Sequence, residues 1–152
     1  MSKVESIAVV TGGRADFGLL SRLCQILDND KRVKLTIIAT GSHLSNAHGY
    51  TLNEVESFCF SNVETIDLDI RSDTREDINV YISRAISKFS IFFSNRQIKK
   101  IIVLGDRYEI FGASIAAAIL GIKIAHIHGG EVTEGAFDEF MKRLKLLNLI
   151  NV

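Results

Sequence analysis

The sequence predicts an α/β fold built on a parallel sheet with helices on both faces. Two observations predict it. Strand-like runs alternate with helical stretches along most of the chain, and the strands are nearly continuous apolar runs rather than alternating ones. Strands apolar on both sides are those of a sheet covered on both faces. Right-handed crossovers are expected between them.

The elements follow in order. Residues 7–10 are a short buried strand that ends at Thr11-Gly12-Gly13. A helix is expected from about Asp16, a plausible N-cap. Leu19, Leu20, Leu23, Ile26 and Leu27 lie on one helical face. The Asp28-Asn29-Asp30 cluster ends it. VKLTIIAT, 33–40, is the second strand, rich in β-branched residues. A loop over 41–49 carries His43 and His48, and 51–58 reads as a short helix with Thr51 and Glu54 as a capping box. Residues 64–70 suit a short or edge strand, and 71–76 a loop. Ile78, Ile82, Ala85, Ile86, Phe89 and Phe92 or Phe93 form a long amphipathic stripe. A strand at 101–104, a helix over about 108–120 and a strand at 122–127 complete the pattern. The small residues Gly112, Ala113, Ala116, Ala117 and Ala118 would let that last helix lie close on the sheet. The tail, 140–152, is apolar nearly all round and needs a cover if it is helical.

At 152 residues the chain is long enough for one domain with a proper core. Formal net charge is zero, which argues against a nucleic-acid or membrane-surface partner, since both need a basic excess. No leader pattern or spanning apolar run is visible, so the expected location is the cytoplasm. Cys24 and Cys59 follow no metal or redox spacing, and Cys24 reads as core filler.

Chemistry concentrates where strands end. In open parallel sheets ligands bind beyond the carboxyl ends of the strands. Gly12 and Gly13 between first strand and first helix would let a backbone approach a ligand, with the helix N-terminus and Arg14 offered to a phosphate. A tight turn with a capping Asp16 and a solvated Arg14 is the equal alternative. Asp106, directly after a buried strand, reads as a general acid/base or a hydroxyl-binding group, or else as a helix cap paired with Arg107. His126, His128, Glu131, Glu134 and Asp138 gather imidazoles and carboxylates fit for paired acid/base work. The residue types could also bind a metal, but no HExxH or comparable spacing is present, so none is expected. His43 sits on the same rim, with a surface loop histidine the alternative. The acidic run Asp67, Asp69, Asp73, Glu76 and Asp77 reads as a solvated face.

Taken together, TGGRADFG, ATGSHLS, VLGDRYEIF and AHIHGGEVTEGAFDE resemble the hydrolysing UDP-N-acetylglucosamine 2-epimerases of sialic and nonulosonic acid biosynthesis, over roughly residues 5–139. The resemblance implies a Rossmann-like N-terminal half of a glycosyltransferase-B-type fold. It implies a UDP-sugar substrate, no cofactor, and a reaction that removes the C2 proton, expels UDP and adds water to a 2-acetamidoglucal. By motif, Asp106 and Asp138 match acid/base residues, with Glu131 a third candidate. His128 stands where many members carry a carboxylate. Arg14 matches the nucleotide-phosphate site, and His43, His126 and Arg107 match positions near the substrate. The HIHGGE form fits a branch acting on UDP-GlcNAc or on its 2,4-diacetamido-trideoxy relative. A non-catalytic sugar-nucleotide- or partner-binding half domain is the alternative.

The expected organisation is therefore an epimerase domain over 1–139 and a divergent tail over 140–152. The tail departs from the family pattern, as from a truncation or a frameshift. The family's second domain is expected to be absent and activity alone to be low. A half-cleft left open exposes apolar surface, so a homo-oligomer is expected.

Overall fold

The computed structural model describes residues 4–127. His128, Glu131, Glu134, Asp138 and the tail over 140–152 lie outside the described residues. Five strands form one sheet: β1 (Glu5–Thr11), β2 (Val33–Thr40), β3 (Val63–Ile66), β4 (Lys100–Leu104) and β5 (Lys123–Ile127). Four α-helices connect them: α1 (Arg14–Asp28), α2 (Leu52–Glu56), α3 (Arg75–Arg96) and α4 (Tyr108–Ile119). The strand order is β3-β2-β1-β4-β5 and every pairing is parallel.

Successive strand residues point to opposite faces, and the chain fills both. On one face Ile7, Val9, Leu35, Ile37, Ile102 and Leu104 pack with Phe17, Leu20 and Cys24 of α1 and Val55 of α2. On the other, Ala8, Val10, Ile38, Ile101 and Val103 pack under α3 and α4. Here α3 contributes Tyr81, Ala85, Phe89 and Phe93, one residue every fourth position. That spacing puts them on a single face. Phe89 is fully buried, and truncating it to alanine would cost about 3–5 kcal/mol. The predicted stripe thus holds for Ala85, Phe89 and Phe93, while Ile78, Ile82 and Ile86 are half-buried flanks and Tyr81 takes the core position. Gly112 answers to α3, not the sheet: a Cβ there would lie 2.5 Å from that of Ala85.

Several local expectations are corrected by tertiary partners. The helix after β1 starts at Arg14 with Gly13 as N-cap, so Asp16 lies inside the first turn and caps nothing. Thr51 makes no side-chain cap bond, and the predicted capping box does not form. Its hydroxyl is bonded to His43 instead, at 2.8 Å. β3 ends at Ile66, short of the expected residue 70. The 71–76 loop gives way to α3 at Arg75, where Thr74 accepts from the Asp77 amide. No helix among the described residues is long and apolar enough to cross a membrane.

Candidate active site

The sheet order places the topological switch point between β1 and β4, because the connections leave β1 in opposite directions on its two sides. Beyond the carboxyl ends of these two strands lie Gly12-Gly13-Arg14 on one side and Gly105-Asp106-Arg107 on the other. β5 runs beside β4, with Val103 opposite His126. His126 reaches back to the β4 turn, its Nε2 lying 2.6 Å from the Gly105 carbonyl oxygen. Asp106, Arg107, His126 and Arg14 therefore share one rim, as the sequence leads one to expect.

Arg107 and Glu109 organise the floor of this crevice. Glu109 belongs to the first turn of α4 and is 4% exposed. An isolated buried carboxylate is strongly disfavoured, and this one is fully engaged. Arg107 Nε donates to Oε1 at 2.8 Å, and the Tyr81 hydroxyl donates to Oε2 at 3.3 Å. Burial, followed by the Glu109 charge, pushes the Tyr81 phenol far above its ordinary range, so it remains a donor. Arg107 Nη2 extends to Ser42 Oγ at 3.4 Å, and Ser42 Oγ in turn donates to the Gly12 carbonyl at 2.8 Å. A second carboxylate, Asp16, has Oδ2 at 4.0 Å from Arg107 Nε and without a hydrogen bond among the described residues. Burial raises its pKa, partly countered by Arg107 and reinforced by Glu109 and Asp106.

Glycine serves this network directly. A Cβ on Gly12 would fall 2.2 Å from Glu109 Oε1, and one on Gly41 would fall 2.6 Å from the same atom. Gly41 also has φ of 60°, in the left-handed region that favours glycine. The bare backbone at both strand ends is occupied by the protein's own carboxylate. Arg107 also does not pair with Asp106, nor does Asp106 cap α4; Arg107 itself is the cap residue.

His43 is not a surface residue. It is wholly buried, with Nε2 at 2.9 Å from Thr11 Oγ1 and Nδ1 at 2.8 Å from Thr51 Oγ1. One hydroxyl must donate and the other accept if the ring is neutral. Burial, ahead of all other influences, lowers its pKa and favours that neutral form. Arg14 is the opposite case: its side chain is 75% exposed and its Nε lies 3.2 Å from Glu54 Oε2. Among the described residues no cluster of His, Cys, Asp and Glu could hold a metal ion.

A cleft of about 180 Å³ opens beside this network, lined by Ser42, Tyr81, Arg107, Tyr108 and Glu109 and by residues 70–73. Ordinary small-molecule sites have roughly 300–1,000 Å³. The cleft is smaller than that range.

The model of the UDP-N-acetylglucosamine 2-epimerase family matches residues 25–145 of this sequence. The chain belongs to that family. Polysialic acid biosynthesis protein P7 of Escherichia coli is 37% identical over 139 residues, which is 91% of this chain and 36% of that protein. The GDP/UDP-N,N'-diacetylbacillosamine 2-epimerase (hydrolyzing) of Campylobacter jejuni is 36% identical over 142 residues, 93% of this chain and 36% of the relative. The chain thus spans little more than a third of the length of these relatives. Among solved structures, the UDP-GlcNAc 2-epimerase of Neisseria meningitidis bound to UDP-GlcNAc superposes with a TM-score of 0.76 at 21% identity, over 95% of this chain and 38% of that one. The Methanocaldococcus jannaschii enzyme in complex with UDP-GlcNAc and UDP gives a TM-score of 0.77 at 18% identity, over 95% and 38%. The fold of the chain is that of the N-terminal half of these glycosyltransferase-B-like structures.

The sequence reading missed Glu109, Tyr81 and Asp16 as site components. The only signal for Glu109 was a carboxylate in an otherwise apolar helix, YEIFGASIAAAI. A first-turn acid is ordinary at a helix start and carries no functional signal by itself.

Proposed function

We propose that this chain carries the acid/base wall of a hydrolysing UDP-N-acetylglucosamine 2-epimerase. A carboxylate takes the proton from C2 of the sugar as the C1–O bond to UDP breaks, giving 2-acetamidoglucal and UDP. Water then adds across the double bond, with its oxygen at C1 and a proton returned to C2 on the other face, to give N-acetylmannosamine. Asp106, Asp138 and Glu131 are the acid/base candidates, with His128 beside them. Arg14 and Arg107 serve the diphosphate and His126 the sugar. His43, being wholly buried, acts by holding the end of β1 through Thr11.

The observation that carries this reading is the placement of Asp106 and Arg107 at the topological switch point, beside His126, in a member of this family. The relatives support hydrolysis, since a hydrolysing bacillosamine epimerase is as similar as the polysialic acid protein. The HIHGGE form fits either UDP-GlcNAc or its 2,4-diacetamido-trideoxy counterpart, so both belong in the assay. The second reading is a non-catalytic half domain that binds the sugar nucleotide or a partner.

The test incubates the purified chain with each UDP-sugar, alone and with the C-terminal domain of the E. coli relative. UDP release and the free 2-epimeric sugar of each substrate (N-acetylmannosamine from UDP-GlcNAc) are followed, binding of each UDP-sugar is measured by titration calorimetry, and Asp106→Asn is run in parallel. Turnover that needs the added domain and disappears with Asp106→Asn is expected. Turnover retained by Asp106→Asn would overturn the assignment of Asp106. Absence of both binding and turnover would overturn the epimerase reading of this chain.

A further inference from the structure

We propose that Glu109 is a positioning residue: its buried carboxylate, wedged against the bare backbone of Gly12 and Gly41, fixes the Arg107 guanidinium in the crevice between β1 and β4. Three independent observations carry this. The first is the asymmetry of the pair. The Glu109 side chain is 5% exposed and that of Arg107 43% exposed, so the acid is anchored in the interior and the base reaches outward. The second is the steric cage. Oε1 lies within 2.2 and 2.6 Å of where Cβ atoms of residues 12 and 41 would stand, so both strand ends are shaped around it. The third is the division of the guanidinium. Nε is given to Glu109 and Nη2 to Ser42, while Nη1 lies 3.3 Å from the place of a Gly13 Cβ, over the N-terminus of α1.

A guanidinium held at its inner edge presents its outer nitrogens in one orientation, which suits forked contact with an anionic oxygen pair. Released, the side chain would regain its rotamers and lose them again on each binding event. Glu109 itself touches no ligand in this scheme. Its effect passes through Arg107, with Tyr81 closing the far side of the carboxylate.

The test has two arms, and only the second rests on the epimerase reading. In the first, the Arg107 Nε–Hε signal is identified by its loss in Arg107→Lys, and its exchange with water is measured by ¹⁵N NMR on the full chain. A bond to a buried carboxylate slows that exchange. Glu109→Gln, which keeps the shape and removes the charge, should speed it about tenfold or more. Unchanged exchange in Glu109→Gln would overturn the proposal. In the second arm, UDP is titrated into the wild type, Glu109→Ala, Arg107→Ala and the double variant. Glu109→Ala should weaken UDP binding by about tenfold when Arg107 is present and by less than about twofold when it is absent. An equal loss in both backgrounds would show that Glu109 acts without Arg107 and would overturn the proposal. If Glu109→Ala fails to fold, Glu109→Gln takes its place in both backgrounds with the same criterion. A wild type that does not bind UDP would count against the proposed function alone, and the exchange arm would then decide the positioning role by itself.

Discussion

Gly12→Ala is the sharpest probe of the packed network. Gly12 is buried and its φ is outside the left-handed region, so alanine suits the backbone. The difficulty is steric. The new methyl would stand 2.2 Å from Glu109 Oε1, 2.9 Å from Cδ and 3.0 Å from Cγ. Ordinary contact asks for a retreat of about an ångström or more. Oε1 is tied to Arg107 Nε on the way out. The carboxylate must therefore leave its seat and give up the 2.8 Å bond from Arg107. A hydrogen bond to a charged group is worth about 1.5–3 kcal/mol, and forcing a packed interior costs about 1–3 kcal/mol. Alanine returns about 0.4–1 kcal/mol by restricting the unfolded chain. The expected net loss is about 1.5–5.5 kcal/mol, read as a fall in the urea midpoint with an unchanged slope. Glu109→Ala in the Gly12→Ala background removes the clash, so the two losses should fall short of additivity by more than about 1 kcal/mol. A Gly12→Ala change within about 0.5 kcal/mol of wild type, or strictly additive losses, would refute the claim that Gly12 is bare to make room for Glu109.

Three further outcomes are expected. Because burial lowers the His43 pKa below its ordinary value of 6.5, the unfolded chain takes up a proton there that the folded chain refuses. Stability from this source is complete above about 6.5 and falls as pH drops through the window down to the folded pKa. His43→Gln, though less stable at high pH, should show a flatter decline of its urea midpoint on acidification. Arg14→Ala should change stability by less than about 0.5 kcal/mol, since its exposed pair with Glu54 is weak, yet weaken UDP binding by about tenfold. Unchanged binding by titration calorimetry would leave Arg14 as a surface partner of Glu54 only. Under native conditions a thiol reagent should modify exposed Cys59 and spare Cys24, whose thiol burial, with help from Asp28, pushes up to about 12; a doubly labelled native chain in the mass spectrum would contradict that packing.

What the sequence discloses about this fold follows from how local each signal is. The apolar run of β2 marks its span over 33–40 because continuous β-branched residues bounded by turns depend little on partners. The position of Asp106 and Arg107 at a strand end is legible for a similar reason, but that this end borders the crevice depends on β4 lying beside β1, which no local signal reports. Polar side chains with a choice of partner are less legible. Asp16 and Thr51 each sit where a local rule assigns a cap; Thr51 is instead bonded to His43, and Asp16 is half-buried near Arg107 without a hydrogen bond from it. Such commitments join residues separated by many positions, and no periodicity reports them. Glu109 is the extreme case, since its environment is made by β1, the turn after β2, α3 and its own helix at once.

The two arginines of the crevice stand in different electrostatic situations, and this bears on how an anion would enter. Arg14 is paired with an exposed acid, Glu54, at low cost to separate. Arg107 is paired with Glu109, whose side chain is only 5% exposed, so separating them would leave a largely buried charge unpaired. An arriving diphosphate can therefore recruit Arg14 by displacing Glu54 but must accept Arg107 where it stands. Asp16 adds to the contrast, because its raised pKa reflects a carboxylate held near the same site by burial rather than by strong pairing. An anion settling near Arg107 would raise the cost of charge on Asp16 further and favour its protonation. On the proposed function, phosphate binding at this crevice should be accompanied by proton uptake. Titration calorimetry of UDP in buffers of different ionisation enthalpy measures that uptake, and Asp16→Asn should abolish it. Uptake that persists unchanged in Asp16→Asn would place the proton elsewhere and leave Asp16 a bystander to the Arg107–Glu109 pair.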